Sequence, residues 1–363
     1  CLWANLEPVF AMPEYDAVFG INTQITPQAV QDAFARHADI KAVLVTSPNY
    51  YGQAADLKTI AGIAHAHNAA LLVDEAHGPH LGFSSKLPPS ALQCGADACA
   101  QSTHKILGAM TQCSLLHVKG GRINLTRAAE AVSLLTTTSP NYLLMASIDA
   151  ARYTLAVQGE KLIERALTAA EKLRICLSKF AGLKLLDAGC TGKNGIAGFD
   201  CTKVTVNTAA WGYSGTEAGD ALRKAGIAVE LTDAQNVLFL VTFADGGAEY
   251  DAVLEKISSV FAGFEKHKRA PLKEQNCWKL PDFVTAMPLR SAFDAETESL
   301  PLQKAEGRIC AEQVSFYPPG IPVLWPGELV TAAVIDYCLR MKKLGLPVSG
   351  PADYTLTELR VIK

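Results

Sequence analysis

Two short segments of this sequence concentrate side chains able to do chemistry: Val73-Asp74-Glu75-Ala76-His77-Gly78 and Gln101-Ser102-Thr103-His104-Lys105. Each follows an apolar run that reads as a buried strand. Both would therefore open at a strand's carboxyl end, where open α/β sheets bind their ligands. A lysine amine is the side chain that holds an aldehyde cofactor as a Schiff base. Pyridoxal phosphate, such a cofactor, works as an electron sink while its pyridine nitrogen stays protonated, and a carboxylate within ~4–6 Å favours that charged form. Lys105 and Asp74 supply the two groups, 31 positions apart. Ala76 is small enough to lie flat against a ring. Ser102 and His104 precede the lysine on a turn from which hydroxyl, imidazole and backbone N–H can reach a phosphate. Taken singly, an aspartate at a strand end is usually a cap or turn residue, and a lysine is usually solvated. The ordered pair is far more specific than either.

The flanking elements fit that placement. Thr26 reads as an N-cap with Pro27 at the first helical position, followed by Val30 and Phe34 at helical spacing. Ile40–Val45 is a short apolar strand ended by Ser47-Pro48. Asp56 opens a helix with Leu57, Ile60, Ala61 and Ala64 on one face, which Asn68 can close. Ala69–Val73 runs straight into Asp74, and Ala98–Gln101 and Ser114–Val118 are further strands. Strands alternating with helical stretches imply βαβ units and a mostly parallel sheet. From about Asn141 to Phe180 the pattern is helical, with a break expected near Gly159 and a stripe of Leu162, Ala166, Leu173 and Leu177. Strands are expected over Lys203–Val206, Ala228–Leu231 and Val237–Thr242, with a capping box at Ser214-Gly215-Thr216-Glu217. Beyond about Ala270 the chain is richer in proline and loops.

Composition excludes several function classes. At 363 residues the chain exceeds what one core sustains, so two or three domains are expected. Charged residues are only 19% and the net charge is -3, with no basic track for nucleic acid or a membrane surface. The ten cysteines form no C-x-x-C pair, so no zinc ribbon or other metal site is expected. Cys94, Cys99 and Cys113 lie in or beside apolar stretches, as buried thiols do in a reducing cytoplasm. No apolar run approaches the ~18 residues that span a bilayer. Asn124-Leu125-Thr126 matches a glycosylation sequon but has no secretory context. Asp74-Glu75-Ala76-His77 is also a helicase signature, which requires a Walker A loop that this sequence lacks.

The chain resembles the ornithine/lysine/arginine decarboxylases. The resemblance rests on Val-Asp-Glu-Ala-His-Gly, Gln-Ser-Thr-His-Lys and then Thr136-Thr137-Thr138-Ser139-Pro140-Asn141-Tyr142. It continues through Met287-Pro288-Leu289-Arg290, Ala305-Glu306-Gly307-Arg308, Tyr317-Pro318-Pro319-Gly320-Ile321-Pro322 and Pro326-Gly327-Glu328. It runs nearly end to end and matches the shorter form of the family, without an N-terminal wing domain. The implied fold is α/β: an aspartate aminotransferase-like, fold type I major domain over 1–152, a small α+β domain over 153–269 and a C-terminal α+β domain over 270–363. The implied activity is pyridoxal-phosphate-dependent α-decarboxylation of a basic amino acid, in polyamine metabolism, by a homodimer at least.

The resemblance also implies roles. Lys105 holds the cofactor and Asp74 pairs with its ring nitrogen, with Ala76 against the ring. Ser102 and His104 contact the phosphate, and Thr137 and Thr138 serve the site of a neighbouring subunit, or cap the following helix. His77 sits beside ring or substrate, or is a structural turn histidine. A cationic substrate side chain needs a carboxylate partner. Glu230, Asp233 and Glu328 are the candidates, each with a surface role as the plainer reading, and Glu328 is preferred because Pro322 and Pro326 stiffen its loop. The family normally carries a longer stretch before the position of Cys1, with a Gly-Ser/Thr phosphate loop and a ring-stacking histidine. This sequence therefore reads as a fragment or a short form. An aminotransferase of the same fold and a cofactor-poor partner subunit are the competing functions.

Overall fold

The computed structural model describes residues 2–272, 280–317 and 320–363. Pro318 and Pro319 of the proline-rich segment lie outside the described residues. The chain divides into a large unit, Ala11–Glu230 with Gln235–Leu272, and a small unit, Cys1–Phe10, Leu231–Ala234 and Lys273–Lys363.

The large unit opens with a short hairpin, Tyr15–Asp16 paired with Ile21–Asn22, followed by α1 (Pro27–Arg36), whose N-cap Thr26 accepts from the Ala29 amide at 3.1 Å. It continues through β1 (Ala42–Thr46), β2 (Gln53–Ala55), α2 (Leu57–Ala66), β3 (Ala70–Asp74), β4 (Ala98–Gln101), the single-turn α3 (Thr103–Ile106) and β5 (Leu115–Val118). Asp56 caps α2 through the Thr59 amide at 3.0 Å. The expected face of α2, Leu57, Ile60, Ala61 and Ala64, is buried against Leu71 and Val73 of β3. The sheet order is β1-β3-β4-β5; β1, β3 and β4 are parallel, and β5 runs antiparallel to β4. Register sets Thr46 opposite Asp74 and Asp74 opposite Ala100, so the carboxyl ends of the parallel strands are level. That edge is where Asp74 and the turn bearing Lys105 emerge.

After α4 (Leu125–Leu135) comes α5 (Tyr142–Ser178), one unbroken helix of 37 residues. The break expected at Gly159 does not occur. Glycine is needed there for close packing, because a Cβ would stand 2.6 Å from Phe83 Cδ1. The buried stripe runs through Ile163, Ala166, Leu173 and Leu177, leaving Leu162 half-buried. The second sheet centres on β8 (Lys203–Asn207), antiparallel to β6 (Lys184–Leu186) and β9 (Asn236–Leu240). Leu173 and Leu177 of α5, Leu222 of α6 (Gly215–Lys224) and Phe261 of α7 (Tyr250–Lys266) pack with Val204, Val206 and Trp211 as its core. The capping box at Ser214 and Glu217 forms as expected. The strand expected over Ala228–Leu231 is confined to Leu231–Thr232. β7 (Ile196–Phe199) pairs with β2, Gln53 opposite Phe199, and so carries the residues after β7 to the segment before β2.

In the small unit, Thr297–Pro301 pairs with Glu358–Ile362, and Val314–Phe316 lies between Pro322–Leu324 and Val348–Ser349. The helix Ala332–Lys343, capped by Thr331, buries Val334, Ile335, Cys338 and Met341. Among the described residues no helix is long and apolar enough to cross a membrane.

Candidate functional site

Asp74 is the last residue of β3, and its side chain is exposed. One carboxylate oxygen accepts from the Ala76 amide at 3.1 Å, and among the described residues it pairs with no cation. Lys105 lies in α3, just past the neighbouring strand, half-buried. Its Nζ is 3.2 Å from His77 Nε2 and 5.5 Å from the centroid of the Tyr50 ring. Tyr50 packs on His77 with ring centroids 4.3 Å apart. His77 is 4% exposed. Burial, then the charges of Lys203 and Lys105, push its pKa down to about 3. The ring is thus uncharged at neutral pH, with its Nε2 within hydrogen-bond distance of the Lys105 amine. Its Nδ1 is a buried atom with no hydrogen-bond partner among the described residues.

Ser102 is the N-cap residue of α3, and its hydroxyl makes no capping bond. His104 Nδ1 is 2.6 Å from the Cys113 carbonyl, which only accepts, so Nδ1 donates and Nε2 is left to other partners. Thr103 donates to the same carbonyl at 3.0 Å, pinning the turn. Glu75, beside Asp74, does a different job. It is fully buried, accepts from the Ala91 amide at 2.6 Å and from Gln101 Nε2 at 2.7 Å, and burial raises its pKa. It fastens the end of β3 to the end of β4.

A second group of residues escaped the sequence reading. Asp200 and His80 are fully buried and Lys203 is 1% exposed. Asp200 Oδ2 has His80 Nε2 at 3.0 Å and Lys203 Nζ at 3.6 Å, contacts of proximity rather than aligned hydrogen bonds. Asp200 Oδ1 accepts from the Thr202 hydroxyl at 2.7 Å and the Thr202 amide at 2.9 Å. Burial works to raise the Asp200 pKa, but His80 and Lys203 outweigh it and hold the carboxyl below the usual range. Two signals were present in the sequence: a second histidine three residues after His77, and an aspartate three residues before the lysine that heads the strand Lys203–Asn207.

The other expected residues lie elsewhere. Thr137 and Thr138 are exposed, and Thr137 accepts from the Ser139 amide at 3.1 Å. The cap of α5 is Asn141, which accepts from the Leu143 and Leu144 amides. Of the candidate substrate carboxylates, Glu230 is exposed, but the surface role expected of the other two does not hold. Asp233 is 3% exposed and Glu328 4% exposed. Glu328 accepts from the Trp325 amide at 2.9 Å, and burial pushes its carboxyl up to about 7.

The donor set fits pyridoxal phosphate: an amine for the aldehyde, a carboxylate at the strand end with no cation partner among the described residues for a pyridinium, and hydroxyl and imidazole on one turn for a phosphate. Among the described residues no cluster of histidine, cysteine and carboxylate side chains is arranged to hold a metal ion.

Comparisons with known proteins agree with this architecture. An arginine decarboxylase of Bacillus anthracis is 40% identical over 364 residues, covering 100% of this chain and 73% of that protein. A solved lysine decarboxylase from Francisella novicida superposes with a TM-score of 0.80 at 22% identity, over 98% of this chain and 63% of that one. A solved pyridoxamine-pyruvate aminotransferase from Mesorhizobium loti shares the fold more distantly, with a TM-score of 0.51 and 18% identity over 66% of this chain and 64% of that one. The α/β fold is thus the fold type I architecture. Family models for the Orn/Lys/Arg decarboxylase major domain and C-terminal domain match residues 1–207 and 281–350, and with them the chain belongs to the Orn/Lys/Arg decarboxylase family.

Proposed function

We propose that the chain is a pyridoxal-phosphate-dependent α-decarboxylase of a basic amino acid, arginine first. The observation that carries this reading is the Lys105 amine held against an uncharged, buried His77, on the sheet edge where Asp74 presents an unpaired carboxylate. When bound, the cofactor supplies an electron sink for the bond broken at Cα. Lys105 would hold it covalently. Asp74 would keep the positive charge on its ring nitrogen, with Ala76 beneath the ring and Ser102 and His104 at the phosphate. His77 and Tyr50 lie against the lysine amine. On this reading residues 1–152 bind the cofactor, 153–269 form the small domain and 270–363 the C-terminal domain. The fold by itself accommodates an aminotransferase equally well. The family match and the arginine decarboxylase relative favour decarboxylation. A decarboxylase also gains by leaving the substrate carboxylate unstabilised in the ground state.

The substrate's cationic end needs a carboxylate, since an unpaired charge in a dry pocket is costly. Glu328 is the proposed partner, with Glu230 and Asp233 as the other candidates. Its loop is fixed by the Trp325 contact, and rigidity sharpens discrimination. Carbon dioxide release should be followed with arginine, lysine, ornithine and leucine. The expected order puts arginine first and leucine at least about a hundredfold below, the scale of leaving buried polar groups unpaired. Equal turnover of leucine would sink the substrate class. An unchanged preference in Glu328→Gln would sink only the choice of partner.

Thr137 and Thr138 are proposed to serve the site of a second copy. The described residues of α4 bury no side chain, and Leu134 and Leu135 are 83% and 77% exposed, followed by Tyr142 and Leu143 at 76% and 72%. Such a patch marks an interaction surface. Sedimentation should find a dimer or larger species, and an active monomer would rule out a shared site. Cytoplasmic action in polyamine metabolism completes the proposal; the described cysteines are all free thiols.

A further inference from the structure

The backbone ladder between β3 and β4 ends with Asp74 opposite Ala100, followed by one last bond from the Glu75 amide to the Ala100 carbonyl at 2.9 Å. Past that point the strands run into the turns that carry His77 and Lys105, and side chains take over the pairing. Gln101 Nε2 donates to Glu75 Oε2 at 2.7 Å, and Gln101 Oε1 faces His117 Nε2 at 3.0 Å. His117 belongs to β5, where it stands opposite Cys99. Glu75 Oε1 is fixed in turn by the Ala91 amide at 2.6 Å. Through one amide, the end of β3 is tied to β5 across β4. Each strand end in this bridge adjoins a site residue. Glu75 follows Asp74, and its carbonyl accepts from the Gly78 amide at 2.9 Å, closing the turn in which His77 sits. That turn lies directly over the glutamate: a Cβ on Gly78 would stand 2.6 Å from Glu75 Cγ. Gln101 precedes Ser102, the N-cap residue of α3, whose carbonyl accepts from the Lys105 backbone amide at 3.2 Å. The two turns meet where Lys105 Nζ lies 3.2 Å from His77 Nε2.

We propose that Gln101 is a positioning residue: its amide, held between Glu75 and His117, fixes the Lys105 turn relative to the turn bearing Asp74 and His77. The inference rests on Lys105 being the cofactor-holding residue. An amide suits this place because it donates at one end and accepts at the other. Glu75, with both oxygens facing N–H groups, takes the donor end. The carbonyl end only accepts, so the His117 proton lies on Nε2. Burial lowers the His117 pKa, so the ring is uncharged above neutral pH and carries a single N–H. A side chain of the same size without the amide would pack but leave the bridge open.

Two measurements on the full chain test it. The first is a histidine-selective ¹⁵N spectrum at pH 9 without added cofactor. In the wild-type chain the His117 proton should sit on Nε2. Glu75→Gln keeps an oxygen for the Ala91 amide but presents a donor to Gln101. The Gln101 amide must then turn over, and the His117 proton should move to Nδ1. The same tautomer in both chains overturns the inference. The second is borohydride labelling of Lys105 as a function of pyridoxal phosphate concentration, well below the melting temperature. Gln101→Met keeps the volume and leaves Glu75 on the Ala91 amide, so it removes the bridge alone. The concentration for half-labelling should rise about tenfold to a hundredfold, the scale of a misplacement of about 1 Å. Glu75→Gln, its bridge reversed but closed, should label as wild type does, and a loss equal to that of Gln101→Met overturns the inference. A merely structural glutamine would lower the melting temperature in Gln101→Met and leave labelling unchanged, which overturns it too. If Gln101→Met does not fold, the His117 tautomer decides. Each of these results overturns this inference alone, whereas an unlabelled Lys105 in the wild-type chain overturns the reading beneath it as well.

Discussion

Replacing Lys105 with alanine is expected to abolish covalent cofactor attachment and to lower kcat/KM for arginine by at least about a thousandfold, as removal of one member of a catalytic unit does. Lys105→Arg should fail equally. It keeps the positive charge, but a guanidinium stays protonated at working pH and cannot condense with an aldehyde. Stability should respond little. The lysine is half-buried, its side chain meets His77 Nε2 at hydrogen-bond distance, and the α3 turn is pinned independently by Thr103 and His104 on the Cys113 carbonyl. Thermal unfolding measured beside the kinetics would separate the effects. A Lys105→Ala protein with ordinary turnover would remove the residue from the chemistry.

Asp74→Asn should give the second largest loss. The amide keeps the size and the contact with the Ala76 amide but carries no charge to match a pyridinium. A nearby opposite charge is worth about 1–3 pKa units. At 1.36 kcal/mol per unit, that corresponds to roughly 10–1000-fold in the electron-sink form. A fall in kcat of about a hundredfold is therefore expected, with the cofactor still attached to Lys105. Because Asp74 is exposed and pairs with no cation among the described residues, the melting temperature should hold to within a few degrees. A kcat within twofold of wild type would show that another group protonates the ring. An equal collapse of stability would assign Asp74 to the scaffold.

The parts of this fold that could be read in advance are those set by near neighbours in sequence. Thr26 with Pro27, Asp56, and Ser214 with Glu217 act through the first turn of their own helices, and all three cap as expected. The run into Asp74 and the strand Ala98–Gln101 are short, apolar and bounded, so the sheet edge carrying Asp74 and Lys105 was legible from the pattern. Gly159 was misread because helix propensity makes glycine a breaker. Tertiary packing decided otherwise, since the space beside Phe83 admits no Cβ. The buried cluster could not be assembled from the sequence for a related reason. Lys203 stands at the head of a strand, where a lysine is ordinarily solvated, and Asp200 meets His80 across 120 positions. No local period encodes that meeting. It depends on β2 pairing with β7, a long-range antiparallel pairing that neither segment announces. The exposure of the carboxylates put forward for the substrate was likewise expected from residue type, which favours the surface. Glu328 is instead enclosed by the turn it caps at Trp325.

The proposed activity turns on one covalent bond, to Lys105, and that bond can be read directly. The chain, loaded with pyridoxal phosphate, should show an absorption band that borohydride removes. Digestion and mass mapping should then place the pyridoxyl group on the peptide spanning Ser102-Thr103-His104-Lys105, on Lys105 itself. A group found on another lysine, or none on any, would contradict the account.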